Sequence, residues 1–404
     1  MPTEAVSLWY IRTPNSRSSQ PEHFLTYRLL HTADLHLDRA FAGSGCNGDL
    51  ARQRRAGLRQ ALQVMGERAW TEQCQAVTIG GDLYEHERSG VDTERFLQAT
   101  FEAWRPIQVF IAPGNHDALM PGSLYRRVEW PPNVHIFNEP RLTPVQIDEG
   151  LTLWGVGHRE PSWMGNPLEG GVDGAPGVHL ALFHGAELGS RPEGKGVHGP
   201  FRAEQIRERG FSMALCGHYH KRRIDTAAGL VYPGSPEPLT FDESGGRGPV
   251  LVEVEGNGTV NCTPVESNTW LALTIGCDVS SCTSTSGVAE AAVHACRMSA
   301  PPAEHLLLRL DLTGTVDCRL SIDAALLETD VRERTGYPLV QVRDLTRPAV
   351  DIDSVSRERS TQGAFVRSIL AAREKASADE ELAIIDDALR YGLEALAGAE
   401  VGLR

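Results

Sequence analysis

The chain predicts a layered α/β domain, then a small α+β domain and a helical tail. Three observations carry this expectation. Short apolar runs alternate with helical periodicity from residue 27 to about residue 260, and five of these runs are each followed by an Asp, Asn or His in a Gly-containing or polar motif. From about residue 264 the order becomes β-α-β-α-β, with none of those motifs. The last fifty residues or so carry only helical periodicity.

Residues 1–26 hold one short apolar patch, 6–11, interrupted by Ser7. A secretory signal needs an apolar stretch of about 7–15 residues followed by a small-residue cleavage site, so this segment reads as a disordered extension. The α/β domain is expected over 27–263. Its runs 27–32, 76–79, 107–111, 178–183 and 213–216 lead into Asp34, Asp82, Asn115, His184 and His218. Buried strands of a layered sheet look like this, and such sheets build sites at the carboxyl ends of their strands. All the motif residues are therefore expected on one rim.

The α+β domain is expected over 264–350, with strands at 270–275, 305–312 and 338–342 and helices at 288–298 and 322–334. In the tail, 351–404, Phe365, Val366, Ile369 and Leu370 share one helical face, and Leu382, Ile385, Leu389, Leu393 and Leu396 share another. Ser377 and Glu380 have the form of a capping box for the second of these helices. The two helices either cover the small domain, the preferred role, or dock the helices of another protein.

Composition bounds the function. A chain of 404 residues with 41% apolar content is a globular protein of two or more domains, and no apolar run approaches the roughly 18 residues that span a bilayer. Eight cysteines without a Cys-x-x-Cys pair indicate reduced thiols and a cytoplasmic protein rather than a disulfide framework. A net charge of −14 argues against coating nucleic acid through bulk charge. Bound dications and local arginines still make a positive site on an acidic body, so DNA stays open as a substrate.

Seven metal-ligand side chains come in one ordered set: Asp34 and His36, Asp82, Asn115, His184, then His218 and His220. An Asp-x-His or His-x-His pair on an extended segment points both side chains the same way, about 6–7 Å apart at Cα. That span suits two metals about 3.5–4 Å apart, with the lone Asp82 as the natural bridge. Gly81, Gly114 and Gly217 precede ligands and let the backbone approach the ions without a Cβ in the way. Two dications bring four positive charges against the two negative charges of Asp34 and Asp82. The site stays positive, attracts a phosphodiester anion and ionises water near neutral pH. A nitrogen-rich, oxygen-containing shell suits manganese first, with iron or zinc also fitting, rather than calcium or magnesium. His116, beside the ligand Asn115, is left over as a general acid for the leaving oxygen, with Asp117 helping to orient it.

With these motifs, the chain resembles the calcineurin-like metallophosphoesterase superfamily and, within it, the SbcD/YhaO branch of DNA repair exonucleases. The closer match lies in Leu30-His31-Thr32-Ala33-Asp34-Leu35-His36-Leu37-Asp38, Gly81-Asp82-Leu83-Tyr84, Gly217-His218-Tyr219-His220-Lys221, Tyr232-Pro233-Gly234-Ser235 and Phe241-Asp242-Glu243. The resemblance implies a four-layer β-sandwich flanked by helices, with a small capping domain and a helical tail. It implies one metal on Asp34, His36, Asp82 and His220, and another on Asp82, Asn115, His184 and His218. It also implies DNA as substrate, an SMC-like coiled-coil ATPase of the SbcC type as partner, and a homodimer. Some members place a histidine three residues after the bridging aspartate, where this chain has Glu85, and His86 is not assigned that role.

Among the other residues, Lys221, Arg222 and Arg223 follow the last ligand directly and are expected to contact the phosphate backbone. Arg52, Arg55 and Arg59 are read as a solvated helix face. His31 and His179 are read as core or supporting residues, His158 as a surface residue, and His198 as part of a loop at the site mouth. The competing functions are a small-molecule phosphatase or cyclic-nucleotide phosphodiesterase, which shares every ligand, and a non-catalytic scaffold. A scaffold is expected to lose ligands or the acid, and this chain keeps them.

Overall fold

The computed structural model describes residues 26–41, 46, 48–172, 174–190, 196–301, 304–317, 320–349, 351–376 and 378–396. The expected extension up to residue 25 and the capping-box residue Ser377 lie outside the described residues. The described chain divides into two compact units, one of residues 26–40, 55–237 and 246–268, the other of 41, 46, 48–54, 238–245 and the remainder from 269. Residues 41, 46, 48–54 and 238–245 thus group with the second unit, not with the α/β part in which they lie in sequence.

The first unit contains β1 (Tyr27–Thr32), most of α1 (Gly48–Thr71), β2 (Ala76–Ile79), α2 (Val91–Ala103), β3 (Gln108–Ile111), α3 (Leu124–Arg127), β4 (Val134–Ile136), β5 (Thr143–Asp148), β6 (Leu151–Gly155), β7 (Val178–His184), α4 (Glu204–Glu208), β8 (Met213–Gly217), β9 (Arg223–Asp225), β10 (Leu230–Tyr232), β11 (Val250–Val254) and β12 (Val260–Pro264). These strands form two six-stranded sheets, ordered β12-β11-β1-β2-β3-β4 and β5-β6-β7-β8-β10-β9. β1 to β4 run parallel, as do β6, β7, β8 and β10, and the antiparallel pairings are confined to the outer strands.

One core joins the facing sheets, with Leu29, Phe110, Val250 and Val252 from the first and Leu153, Leu180, Leu182, Leu215 and Val231 from the second. Alternate residues of β7 and β8, Ala181, Phe183, Ala214 and Cys216, pack the other way, against Phe201, Ile206 and Phe211. Both faces of these strands are covered, which is why β7 is apolar at nearly every position. Helix α1 buries Leu58, Leu62, Met65 and Ala69, which their three- and four-residue spacing places on one helical face. With helices flanking the two sheets, the unit is the expected four-layer sandwich. β1, β2 and β3 of one sheet and β7 and β8 of the other carry the motif residues at their carboxyl ends.

The second unit has its own core. A parallel sheet of β13 (Leu271–Asp278), β14 (Leu306–Thr313) and β16 (Leu339–Asp344) packs with α5 (Thr285–Ser299) and α6 (Ala324–Thr335), and a small β15 (Thr315–Asp317)–β17 (Arg347–Ala349) pair adjoins it. The tail forms α7 (Ile352–Arg357), α8 (Thr361–Arg373) and α9 (Asp379–Leu396). On the predicted faces Val366 and Leu393 are buried, whereas Leu396 is 43% exposed. Among the described residues no helix is long and apolar enough to cross a membrane, and no described cysteine forms a disulfide.

Candidate metal centre

Asp34, His36, Asp82, His184 and His218 are all buried. Their approach is not the extended one expected from the Asp-x-His and His-x-His spacing. Asp34 (φ 54°), His36 (φ 49°) and Asp82 (φ 52°) lie in the left-handed region, and His218 has φ 116°. The loops after β1 and β2 pair with each other instead of continuing their strands: Asp34 N donates to Gly81 O at 3.0 Å and His36 N to Asp82 O at 2.9 Å. Such backbone conformations cost about 1–3 kcal/mol each and persist only where the surroundings enforce them. Gly81 (φ 91°) is one enforcing position, since a Cβ there would stand 2.7 Å from His184 Nδ1. At Gly217 a Cβ would lie 2.1 Å from Gly80 O.

The side chains converge on Asp82 from two sides. His36 Nε2 lies 3.6 Å and His184 Nε2 3.5 Å from the same oxygen, Oδ2. On the first side His36 Nε2 faces His220 Nε2 at 3.3 Å, and Asp34, His36 and His220 form one compact donor group. On the second, His184 Nε2 faces Asn115 Oδ1 at 2.9 Å and His218 Nδ1 at 3.2 Å, and Asp34, Asp82 and His184 are grouped.

Supporting bonds point the imidazoles inward. His36 Nδ1 bonds Glu85 at 2.9 Å, His184 Nδ1 bonds Gly80 O at 2.9 Å, and His218 Nε2 bonds Gly196 O at 3.1 Å. Each ring thereby carries its proton on the outer nitrogen and turns a lone pair to the centre, as metal-ligating histidines do. Facing imidazole nitrogens satisfy one another poorly as hydrogen-bond partners, whereas two cations sharing Asp82 satisfy all of them. The donor set therefore fits two divalent metals.

Charge follows the same geometry. Burial pushes the Asp82 carboxyl up, but His184, His36 and His116 outweigh it and hold the group well below the usual carboxylate range. Burial drives His184 well below its ordinary value, against the opposing pull of the Asp82 charge.

His116 is 42% exposed at the edge of this cluster, with Nδ1 on Glu85 Oε2 at 2.8 Å and its ring centroid 4.7 Å from that of His36. The sequence marked Glu85 only as a departure from the family pattern, yet its two oxygens hold the expected ligand His36 and the expected acid His116. Its carboxyl is pushed up by burial yet drawn down to about 2 by the bonds from His116 and His36. His116 is raised to about 9, first by its bond to Glu85 and against burial. The signal for Glu85 was an acidic residue three positions after Asp82, within reach of the same loops.

Asp117 does not orient His116. Its buried carboxylate accepts from the amides of Asp82 (3.2 Å), Leu83 (2.7 Å) and Gly114 (2.6 Å) and from Tyr125 Oη (2.7 Å). It ties the Asp82 loop to the Asn115 loop, while burial and then the Asp82 charge push its pKa up. The orienting role belongs to Glu85.

Of the three basic residues after His220, only Lys221 is exposed. Arg222 spends its guanidinium on Pro233 O (3.3 Å) and Gly248 O (2.9 Å). Arg223 pairs with Glu187 (3.1 Å) and Asp225 (3.2 Å). Tyr232 Oη bonds Gly185 O at 2.7 Å and so holds the loop after His184. Buried Arg247 donates to His220 O at 2.9 and 3.1 Å and steadies that ligand from behind. His158 is fully buried, not on the surface, because its Nε2 bonds His184 O at 2.8 Å. His31 and His179 are core residues, and the His198 ring stands 5.5 Å from that of His218.

Glu85→Gln keeps the shape but holds at most one imidazole N–H. We expect a loss of about 10–100-fold in metal affinity or turnover. Metal titration and turnover near wild-type values would contradict the bridging role.

Residues 27–222 match the family model of the calcineurin-like phosphoesterases. The chain is 30% identical over 247 residues to the metallophosphoesterase YhaO of Bacillus subtilis, covering 58% of each chain. It is 26% identical over 269 residues to the DNA double-strand break repair protein Mre11 of Methanopyrus kandleri, covering 59% of this chain and 56% of that one. The alignments thus span somewhat more than half the length of these relatives. With two donor groups converging on a shared aspartate, residues 27–222 of this chain are a calcineurin-like metallophosphoesterase domain.

Proposed function

We propose that this chain is a two-metal phosphodiesterase acting on DNA, a cytoplasmic nuclease subunit in DNA repair. It works with an SMC-like coiled-coil ATPase of the SbcC type and pairs with a second copy of itself. One observation carries the hydrolytic part: Asp82 Oδ2 stands between His36 and His184, with His116 held at the edge by Glu85. Support for DNA comes from the likeness to the DNA double-strand break repair protein Mre11 and from a second unit that a compact small-molecule enzyme would not need.

When bound, two divalent cations, manganese in first place, would supply Lewis-acid polarisation of the phosphoryl oxygens and a nucleophile near neutral pH. Asp34, His36, Asp82 and His220 would hold one cation, and Asp82, Asn115, His184 and His218 the other. Glu85 keeps the second proton on the His116 ring at neutral pH, and Nε2, with no hydrogen-bond partner among the described residues, passes a proton to the leaving oxygen.

The test is a side-by-side assay of the manganese-loaded protein, with and without the ATPase, on end-labelled DNA, bis(p-nitrophenyl) phosphate, a 2′,3′-cyclic nucleotide and p-nitrophenyl phosphate. The expected result is DNA cleavage with diester preferred over monoester. Fully loaded protein that hydrolyses the small esters and never DNA would overturn the substrate assignment in favour of a small-molecule phosphatase.

A further inference from the structure

A cleft of about 440 Å³ opens where the loops after His36 and Glu85 come together, lined by Asp38, Arg55, Glu87 and Arg88. The loops are stitched by backbone: Glu85 N donates to Leu37 O at 2.9 Å, Arg88 N to Glu85 O at 3.0 Å, and Arg88 Nε to Asp38 O at 3.2 Å. The cleft thus rests on the segments that carry His36 and Glu85, on the His116 side of the centre, and Arg39 approaches Glu85 at 3.8 Å.

The lining sets two guanidiniums beside two carboxylates that do not pair with them. The Asp38 carboxylate is already engaged by Arg59 at 3.3 Å and by the Thr93 hydroxyl, and Glu87 is exposed. Arg55 touches only Ala40 O, at 3.5 Å, and among the described residues neither Arg55 nor Arg88 has a carboxylate within ion-pair distance. Other arginines of this acidic chain do find a carboxylate, as Arg105 with Glu102 and Arg159 with Glu139. Two guanidiniums that make no ion pair at one void can both be met by a phosphate, which matches their fork geometry.

We propose that this cleft is a subsite for a backbone phosphate of a nucleic-acid strand, on the leaving-group side of the scissile bond, held by Arg55 and Arg88. It rests on the DNA reading above and deepens it: the subsite would favour a strand over a mononucleotide. The helix stripe of Arg52, Arg55 and Arg59 then divides by role, with Arg55 alone turned to substrate.

The experiment measures fluorescence anisotropy of a labelled single strand of about 12 nucleotides binding wild type, Arg55→Gln/Arg88→Gln and Arg55→Lys/Arg88→Lys over a range of salt, together with bis(p-nitrophenyl) phosphate turnover. Expected are a roughly tenfold weaker Kd and a log–log salt slope reduced by about one for the Gln pair, with much of the loss recovered by the Lys pair. The cleavage penalty is expected to shrink as the strand is shortened to a dinucleotide. Equal Kd and slope in wild type and the Gln pair would overturn the subsite, as would a loss shared equally by strand binding and small-diester turnover. Wild type that hydrolyses the small diester but binds no strand overturns the subsite and leaves the metal centre standing. Strand binding that is lost in the Gln pair, with no cleavage by wild type, keeps the subsite and sinks the nuclease assignment.

Discussion

Asp82→Ala is expected to empty both cation sites at once and to lower phosphodiester turnover by at least about 10³-fold. The size follows from the part the cations play, which is worth several kcal/mol of transition-state charge stabilisation. Asp34 also joins both donor groups, but Asp82 Oδ2 lies near the inner nitrogens of both His36 and His184. The variant also removes the acceptor of the His116 amide, at 2.9 Å. Asp82→Asn separates charge from shape: it can still accept that amide but loses the negative charge between the cations. Equilibrium dialysis with elemental analysis should find clearly less than two metals per chain in both variants, while circular dichroism shows the fold retained. Full double occupancy in Asp82→Ala would refute the shared-ligand arrangement.

His116→Ala is expected to lower DNA hydrolysis by about 10²–10⁴-fold while leaving metal content near wild type. The ring is expected to act as an acid and not as a ligand, although it groups with His36 and Glu85. It is half exposed and stands apart from Asp34, Asp82, His184 and His220, with its proton held by Glu85. The leaving group provides a sharper readout than the overall rate. A deoxyribose alkoxide needs a proton as the ester bond breaks, whereas p-nitrophenolate leaves well without one. Turnover of bis(p-nitrophenyl) phosphate should therefore fall far less than cleavage of DNA. Equal losses on both substrates would mean that His116 positions the phosphoester and does not protonate it.

These expectations draw on a site that was largely legible in the sequence. The runs before Asp34, Asp82, Asn115, His184 and His218 are buried on both faces, so they read as strands with motif residues at their ends. Half-buried or very short strands were harder to see. β5 alternates intermediate and exposed positions and contains Pro144, and β9 and β10 are three residues each, too short for a periodic signal. The side-chain inventory of the centre was readable from residue type and order, but its backbone was not. An Asp-x-His spacing looks extended on paper, and the left-handed turns at Asp34 and His36 arise from pairing with the Asp82 loop, nearly fifty residues away in sequence.

The supporting residues were misassigned for a related reason. Asp117 neighbours His116 in sequence, yet it turns inward to three amides and Tyr125, and Glu85 reaches the ring from another loop. Adjacency along the chain does not reveal which carboxylate faces which imidazole. His158 shows the same limit. Flanked by Gly157 and Arg159 it looks like a surface residue, but its bond to the His184 carbonyl buries it behind the centre.

The central claim is that one aspartate joins two cation sites in this domain. Titration of metal-free protein with Mn²⁺, followed by electron paramagnetic resonance, tests it most directly. The account predicts two Mn²⁺ per chain and the multiline spectrum of an exchange-coupled pair, which Asp82→Ala does not show. One Mn²⁺ per chain, or two that remain magnetically independent in the wild-type protein, would contradict it.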